Sequence, residues 1–526
     1  ETDTVVTTLR KEHIALRPPK SRMDHLVSDI AQLVASVMLL HSSWAFKKVE
    51  EAAVGAAQEA GLYSIWIMGF GALAVINLVH VMRAPTDATP GGNVFRGLLS
   101  VPLYATMCLI SGTYFLVSEG HGSGLAIYIG RLTEHSILYL HVGLYVWVGM
   151  LLKRTRLASL AFDVVRPWQL TPELLAFVAV VGAALPTAYS GASGIFVIAV
   201  GAVIYDELRR AGARRQLALA ATAMSGSMGV VLSPCLLVVI VASLNKQVTT
   251  DELYDWGAKV FMLSAFLFFL VSLVNRQGPL KVASPKVGIP GSLAALKPLV
   301  PYVLACFGIW LVYHFGLDVH VDEHSAPFIL PVFLLGVLFL DKKRGRTIVG
   351  STGTERAFEF RKALGSATGE TTGHIGALLM LMGLSVCLGG IIERADLMAM
   401  VPETFGSVWG TMGVLVAVLV VIGMTMDPYG AVILVSATIA DLAYRNGIDA
   451  VHFWMVVLVA FELGYLTPPV ALNHLLTRQV VGDDEVEASK EVEGTFWARH
   501  ERILLPIVVM GIALVIVAFI PLLFMN

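Results

Sequence analysis

The chain has 526 residues, of which 56% are apolar and 14% charged, with a net charge of −2 and a mean hydropathy of +0.74. An ordinary soluble domain carries about 25% charged residues, so a soluble enzyme, a disordered chain and a disulfide scaffold are all excluded. The balanced charge also leaves no basic field to attract nucleic acid. Continuous apolar runs such as 414–422 and 503–524 do not alternate as membrane β-strands do, which leaves an all-α polytopic membrane protein.

The basic residues Arg10, Lys11, Arg17, Lys20 and Arg22 precede neither a short apolar region nor a small-residue cleavage site, so no cleaved signal peptide is expected. A full-length span needs about 20 apolar residues. Spans are expected at 26–46, 61–82, 97–118, 132–152, 217–245, 257–275, 298–317, 326–341, 371–392, 449–478 and 503–525. The first is the weakest, because Asp29, Gln32, Ser36 and His41 interrupt it. Segment 157–170 is amphipathic and follows Lys153-Arg154, as expected of an arm helix along the inner interface. The connections 342–370 and 479–502 are too short for a soluble domain. No GxxxxGK[ST] occurs, so nothing is driven directly by ATP.

Two regions do not read as ordinary spans. A helix opens at Thr171-Pro172-Glu173 and is expected to end near Leu185-Pro186; the small polar run 189–194 and a second apolar piece, 195–205, follow. The pattern returns as 411–422, the tip 423–430 and then 431–440. Both read as re-entrant hairpins with irregular tips at mid-membrane, tolerated there only where protein buries them or they line a cavity. Each precedes an apolar segment with its own break, at 229–234 and at 464–469. Asp206, Gly212, Gly229 and Pro234 are spaced by 6, 17 and 5 residues, and so are Asp441, Gly447, Gly464 and Pro469. This shared register predicts an internal repeat. The five spans expected between the hairpins, an odd number, make it an inverted one. Arg209, Arg210, Arg214 and Arg215 at the first hairpin's mouth mark the cytoplasmic side. The N-terminus is then inside and the C-terminus outside, with Lys47 and Lys48 as the main exception.

Paired broken helices in inverted repeats are a secondary-transporter architecture. Breaking a helix frees carbonyls and N–H groups. Carbonyls and hydroxyls suit Na⁺, and exposed helix N-termini suit a carboxylate. One candidate cation site is therefore the tip 190–193 facing 229–234. The other is Gly423 facing 464–470, with room for an anionic substrate between the tips. Asp427 reads either as a helix cap or as an ion or substrate contact. Glu462 lies inside an apolar segment, where a charge is costly and functional by default; the alternatives are that it faces water near the cavity mouth or pairs with a basic group. Cys108, Cys235, Cys306 and Cys387 read as core thiols, and the histidines lack metal-ligand spacing.

The motifs YSGASG at 189–194, SMGVVLSP at 227–234, GMTMDP at 423–428, GIDAVHF at 447–453 and GYLTPPVALN at 464–473 resemble those of the large membrane subunit of tripartite ATP-independent periplasmic (TRAP) transporters. The similarity covers roughly residues 97–525. It implies an elevator-type carrier of the wider ion-transporter superfamily that imports organic acids with Na⁺. A periplasmic substrate-binding protein would deliver the acid, and a small four-helix membrane subunit would act as scaffold partner. By motif position, one sodium site falls on Ser190, Ser193, Gly229, Leu232 and Pro234, and the other on Gly423, Gly464, Thr467 and Val470. Substrate contacts are expected from Ser190, Gly191, Ala192, Ser193, Thr425, Asp427 and Asn473. Two positions depart from the family pattern: Ala192 replaces a serine, and Ser233-Pro234 replaces a double proline.

The expected organisation is an N-terminal extension with two spans (1–96), scaffold helices (97–156) and an arm helix (157–170). The first hairpin with its broken helix follows (171–245), then more scaffold (246–392) and a second arm (393–407). The second hairpin with its broken helix (408–478) precedes a cytoplasmic loop and a C-terminal scaffold helix (479–526). The protein is expected in the bacterial inner membrane, in contact with lipid. A stand-alone carrier of the same superfamily is the alternative. A membrane enzyme or channel would need a catalytic constellation or a polar pore lining, and neither is evident.

Overall fold

The computed structural model describes every residue except 1–13, 55–59, 84, 86–87, 135, 191–192, 277, 321–324, 345–346, 350–354, 358, 396–405, 427, 492–493 and 525–526. The described chain is helical apart from two three-residue strands. Its helices begin with α1 (Arg22–Val54), α2 (Ala60–Met82), α3 (Val94–Leu98), α4 (Leu103–Gly112), α5 (Gly124–Glu134), α6 (Ser136–Arg154) and α7 (Leu157–Val165). The first hairpin and broken helix are α8 (Pro172–Ser190), α9 (Ser193–Arg210), α10 (Arg215–Met224) and α11 (Leu236–Leu244). Next come α12 (Thr250–Val274), α13 (Pro285–Leu296), α14 (Val300–Leu311) and α15 (Ala326–Lys343). An antiparallel pair, β1 (Thr347–Val349) and β2 (Glu355–Ala357), occupies part of the connection expected at 342–370. The long α16 (Phe360–Arg394) leads to α17 (Val408–Thr425), α18 (Pro428–Thr438), α19 (Ala440–Arg445), α20 (Ala450–Leu466), α21 (Leu472–Val481), α22 (Asp483–Ala488) and α23 (Phe496–Phe519).

Among the described residues, six helices have the length and apolarity to cross a membrane, or eight if two bent pairs each count once. Three expected boundaries need correction. α8 does not stop near Pro186 but runs on to Ser190. A proline removes one backbone bond, which a membrane helix tolerates where its neighbours hold it; here Thr187 Oγ1 also donates to Ala183 O at 2.8 Å. With 19 residues, α8 is about 28 Å long, longer than the part-way piece expected. α17, with 18 residues, likewise exceeds the 411–422 expected. The span expected at 298–317 is the second limb of a pair, Pro285–Leu296 and Val300–Gly316, bent by 52°.

The chain divides into two compact units. The first holds residues 1–140, 372–404 and 425–442. In it α1 packs against α2, α3, α4 and α5. Of the polar residues that interrupt α1, Asp29, Gln32 and Ser36 turn inward and His41 is exposed. Asn77 Nδ2 donates to Ser36 Oγ at 3.0 Å and Tyr104 Oη donates to Gln32 Oε1 at 2.8 Å. The first bond joins α2 to α1, and the second joins α1 to α4. At the other end of α5, Arg131 clasps Glu393 of α16 through two hydrogen bonds of 2.8 and 3.0 Å.

The second unit holds residues 141–371, 405–424 and 443–526. The first hairpin and both broken helices lie here, so the second hairpin is divided at Thr425. α12 opens on a capping box, Thr249 with Glu252. The sequence reading places α12 and α23 with the scaffold, yet in this unit α12 packs against α8, α20 and the first break, and α23 packs along α10, α12 and α20. Most of the expected second arm, 393–407, lies outside the described residues.

Candidate transport site

The two breaks have the same local geometry. Gly212 and Gly447 each end a helix in the left-handed region, at φ 86° and 80°, as glycine allows. Gly212 N–H donates to Arg209 O and Gly447 N–H to Tyr444 O, both at 3.0 Å. The next helix starts from Arg214 at φ −61°, ψ 147° in one copy and from Asp449 at φ −59°, ψ 142° in the other. Asp449 also caps it, accepting from His452 N at 3.0 Å. At the breaks, Gly229 O accepts from Leu232 N and Gly464 O from Thr467 N, both at 3.1 Å. The chain then leaves the helix at Leu232 (φ −94°, ψ 149°) and at Thr467 (φ −101°, ψ 130°). The peptide bonds Ser233–Pro234 and Pro468–Pro469 are both cis.

Each break presses on the first helix of a hairpin through a glycine. A Cβ on Gly229 would lie 2.3 Å from Ala184 O of α8, and one on Gly464 would lie 2.4 Å from the carbonyl carbon of Gly423 in α17. A Cβ on Gly423 would in turn lie 2.7 Å from the Cα of Phe461. The hairpin tip meets the first break as well: a Cβ on Gly226 would lie 2.0 Å from Ser193 O. The structure therefore brings Ser193 against Gly226, three residues before the first break, and Gly423 against Gly464. Thr467 is half-buried, and its hydroxyl donates to Leu463 O at 2.6 Å. That bond leaves the oxygen lone pairs free to accept or to ligate. Ser190 ends α8, Gly191, Ala192 and Asp427 lie outside the described residues, and Thr425 belongs to the other compact unit.

A buried polar chain joins the broken elements. Ser193 Oγ donates to Asn473 Oδ1 at 3.3 Å, and Asn473 Nδ2 donates to Ser227 Oγ at 3.1 Å. The Ser227 hydroxyl in turn lies beside the Glu462 carboxyl. All four residues are buried. Ala471, left-handed at φ 49°, turns the chain into α21 and so sets Asn473 in this row. Asn473 is among the residues expected from the sequence, but Ser227 was not singled out. The signal for it is the register itself: Gly229 and Gly464 are 235 residues apart, and so are Ser227 and Glu462.

At the Arg-rich mouth of the first hairpin, Arg214 binds Glu501 of α23 through two hydrogen bonds and Glu173 of α8 at 3.0 Å. Gln216 Nε2 donates to Ser489 O and Arg499 O at 2.6 and 2.8 Å. Glu485, on the short α22, is held below the ordinary carboxylate range by hydrogen bonds from Tyr205 and Arg215.

A family model described as the tripartite ATP-independent periplasmic transporter, DctM component, matches residues 94–523. The chain is similar to the C4-dicarboxylate TRAP transporter large permease protein DctM of Vibrio cholerae, at 22% identity over 322 residues, 58% of this chain and 69% of that protein. It is also similar to that of Pseudomonas aeruginosa, at 23% over 317 residues, 59% and 69% of the two chains. A shorter match, 23% over 127 residues, is to the isethionate TRAP transporter permease protein DctMQ of Oleidesulfovibrio alaskensis, covering 23% of this chain and 20% of that one. The crystal structure of the Alcanivorax borkumensis YdaH transporter aligns with a TM-score of 0.45 at 12% identity, over 76% of this chain and 87% of that one. The family match takes in both hairpins, both glycine-to-proline breaks and the buried polar row between them, and the chain belongs to the large membrane subunits of TRAP transporters, a family of transport proteins and not of enzymes.

Proposed function

We propose that this subunit imports an organic acid across the bacterial inner membrane, coupled to Na⁺, after a periplasmic binding protein delivers it. The observation that carries the reading is the duplicated break. Two glycine carbonyls and two extended residues recur 235 residues apart, each glycine pressed on the first helix of a hairpin, an arrangement suited to two cation sites of neutral oxygen ligands. The first comprises Ser190, Ser193, Gly229, Leu232 and Pro234; the second comprises Gly423, Gly464, Thr467 and Val470. The contact between Ser227 and Glu462 supports an inverted repeat, because residues on a two-fold axis meet their own counterparts. The hairpins and broken helices, with α12 and α23 packed on them, form the body that moves. The substrate is a carboxylate or related anion, as the names of the dicarboxylate and isethionate relatives suggest. By their place in the sequence motifs, the residues proposed to contact it are Ser190, Gly191, Ala192, Ser193, Thr425, Asp427 and Asn473. A small membrane subunit completes the complex, the N-terminus lies inside and the C-terminus outside.

In proteoliposomes, uptake should collapse without a Na⁺ gradient, and uptake driven equally well by ΔpH alone in Na⁺-free buffer would sink the reading. A requirement for added periplasmic binding protein separates it from the stand-alone carrier.

The hydroxyls at the two sites offer a finer test. Thr467→Val keeps the side-chain shape but removes a ligand, worth about 1–3 kcal/mol, or roughly five- to a hundred-fold in affinity. The variant should reach the membrane yet need more Na⁺ for half-maximal transport, and Ser190→Ala should do the same at the other site. Unchanged Na⁺ dependence in both would mean that these hydroxyls only satisfy broken backbone.

A further inference from the structure

Glu462 stands in the middle of α20, 3% exposed, on a helix whose neighbours are apolar. One carboxylate oxygen, Oε2, is buried and has no hydrogen-bond partner among the described residues. The Ser227 hydroxyl and the buried Cys235 thiol lie beside the carboxyl, and among the described residues no arginine, lysine or histidine forms an ion pair with it. A buried carboxylate without a counter-charge is strongly unfavourable. An unsatisfied buried oxygen in a native structure marks a missing partner. The carboxyl also sits where the two repeats meet, Ser227 being two residues before Gly229 and Glu462 two residues before Gly464.

We infer that Glu462, Ser227 and Asn473 form a third monovalent-cation site, built on the contact between the two broken helices. The inference rests on the sodium-coupled reading but concerns residues outside both sites assigned above. The donor set is hard oxygen throughout: a carboxylate, a hydroxyl and an amide carbonyl. A single positive charge on Oε2 neutralises the buried carboxylate, whereas a divalent ion would leave the pocket charged. Asn473 presents Nδ2 to Ser227 in this structure. Turning the amide by half a rotation brings Oδ1 to that side and Nδ2 to Ser193, whose hydroxyl accepts as readily as it donates. Asn473 thereby links the cation at Glu462 to the hairpin tip through Ser193.

Equilibrium binding of radioactive Na⁺ to the purified full-length protein, in choline buffer, counts the sites without recourse to transport. The parent should bind three Na⁺ per chain, and Glu462→Gln, which keeps shape and hydrogen bonding but not charge, should bind two. Ser227→Ala should keep the count at three but weaken one site about tenfold, the loss of one neutral ligand. Should the glutamine variant fail to fold, the serine variant answers the same question. A Glu462→Gln variant that binds as many Na⁺ as the parent overturns the third site and assigns the carboxyl a proton instead. An unchanged Ser227→Ala binding curve overturns it equally. A parent that binds no Na⁺ removes the sodium-coupled reading and this site together, whereas a parent binding two, with Glu462→Gln also binding two, removes this site alone.

Discussion

Arg214→Ala is expected to destabilise the protein by about 3–5 kcal/mol, the usual cost of breaking a buried ion pair from one side. The guanidinium is 16% exposed and lies between two carboxylates that are more buried still, Glu173 at 6% and Glu501 at 1%. It also donates to Asn275 O at 3.0 Å. One positive charge thus serves three chain segments: the start of α8, the end of α12 and the first turns of α23. Its removal leaves two negative charges in a closed site, with water kept out by the same helices. Thermal unfolding of the detergent-purified protein should show a much lower transition for Arg214→Ala. Adding Glu173→Gln and Glu501→Gln to that variant should recover much of the loss, because the stranded charge is the main cost. A single variant that melts with the parent would show that water reaches the two carboxylates and that the triad is not a closed one.

The legible and illegible parts of this fold differ in range. Glycine and proline act on the backbone within a few residues, so their spacing in the two breaks is readable as structure. The register that pairs Gly212 with Gly447 pairs two left-handed residues, and the one that pairs Gly229 with Gly464 pairs two carbonyls accepting from the residue three positions on. The boundary misplaced at Pro186 has a local cause too. Proline's missing N–H is a weak stop inside a membrane helix, where the rest of the ladder has no water to exchange with. The ion triad is another matter. Arg214 lies 41 residues from Glu173 and 287 from Glu501, and no periodicity carries information over such distances. The N-terminal pair shows the same limit: Gln32 and Ser36 read as flaws in a span until Tyr104 and Asn77 are seen to face them. At the proposed transport site, the glycines are legible singly, and Ser227 becomes so only when the repeat is used to ask what stands opposite Glu462.

Gly464→Ala should abolish Na⁺-coupled uptake, with loss of the second cation site before the first. The added Cβ would lie 2.4 Å from the carbonyl carbon of Gly423 and 2.7 Å from Met424 N. Both are backbone atoms, so no side chain can rotate away. Overpacking a close contact costs about 1–3 kcal/mol where side chains can adjust; here α17 and α20 themselves must separate. The residues displaced are the proposed ligands: Gly423 on one helix, with Gly464 and, three residues on, Thr467 on the other. Gly413→Ala is the control, since that glycine lies on α17 with open space where its Cβ would go. It should behave as the parent, or gain slightly from alanine's better helix propensity. Radioactive Na⁺ binding then reads the difference: Gly464→Ala should lose a site that Gly413→Ala retains. Gly229→Ala, whose Cβ would lie 2.3 Å from Ala184 O, should lose the other. Parent-like Na⁺ binding in both variants would mean that the close helix contacts serve packing alone. The cation ligands would then have to be sought elsewhere, because a shift of the breaks by even half an ångström would already disturb a shell of carbonyl oxygens spaced for Na⁺.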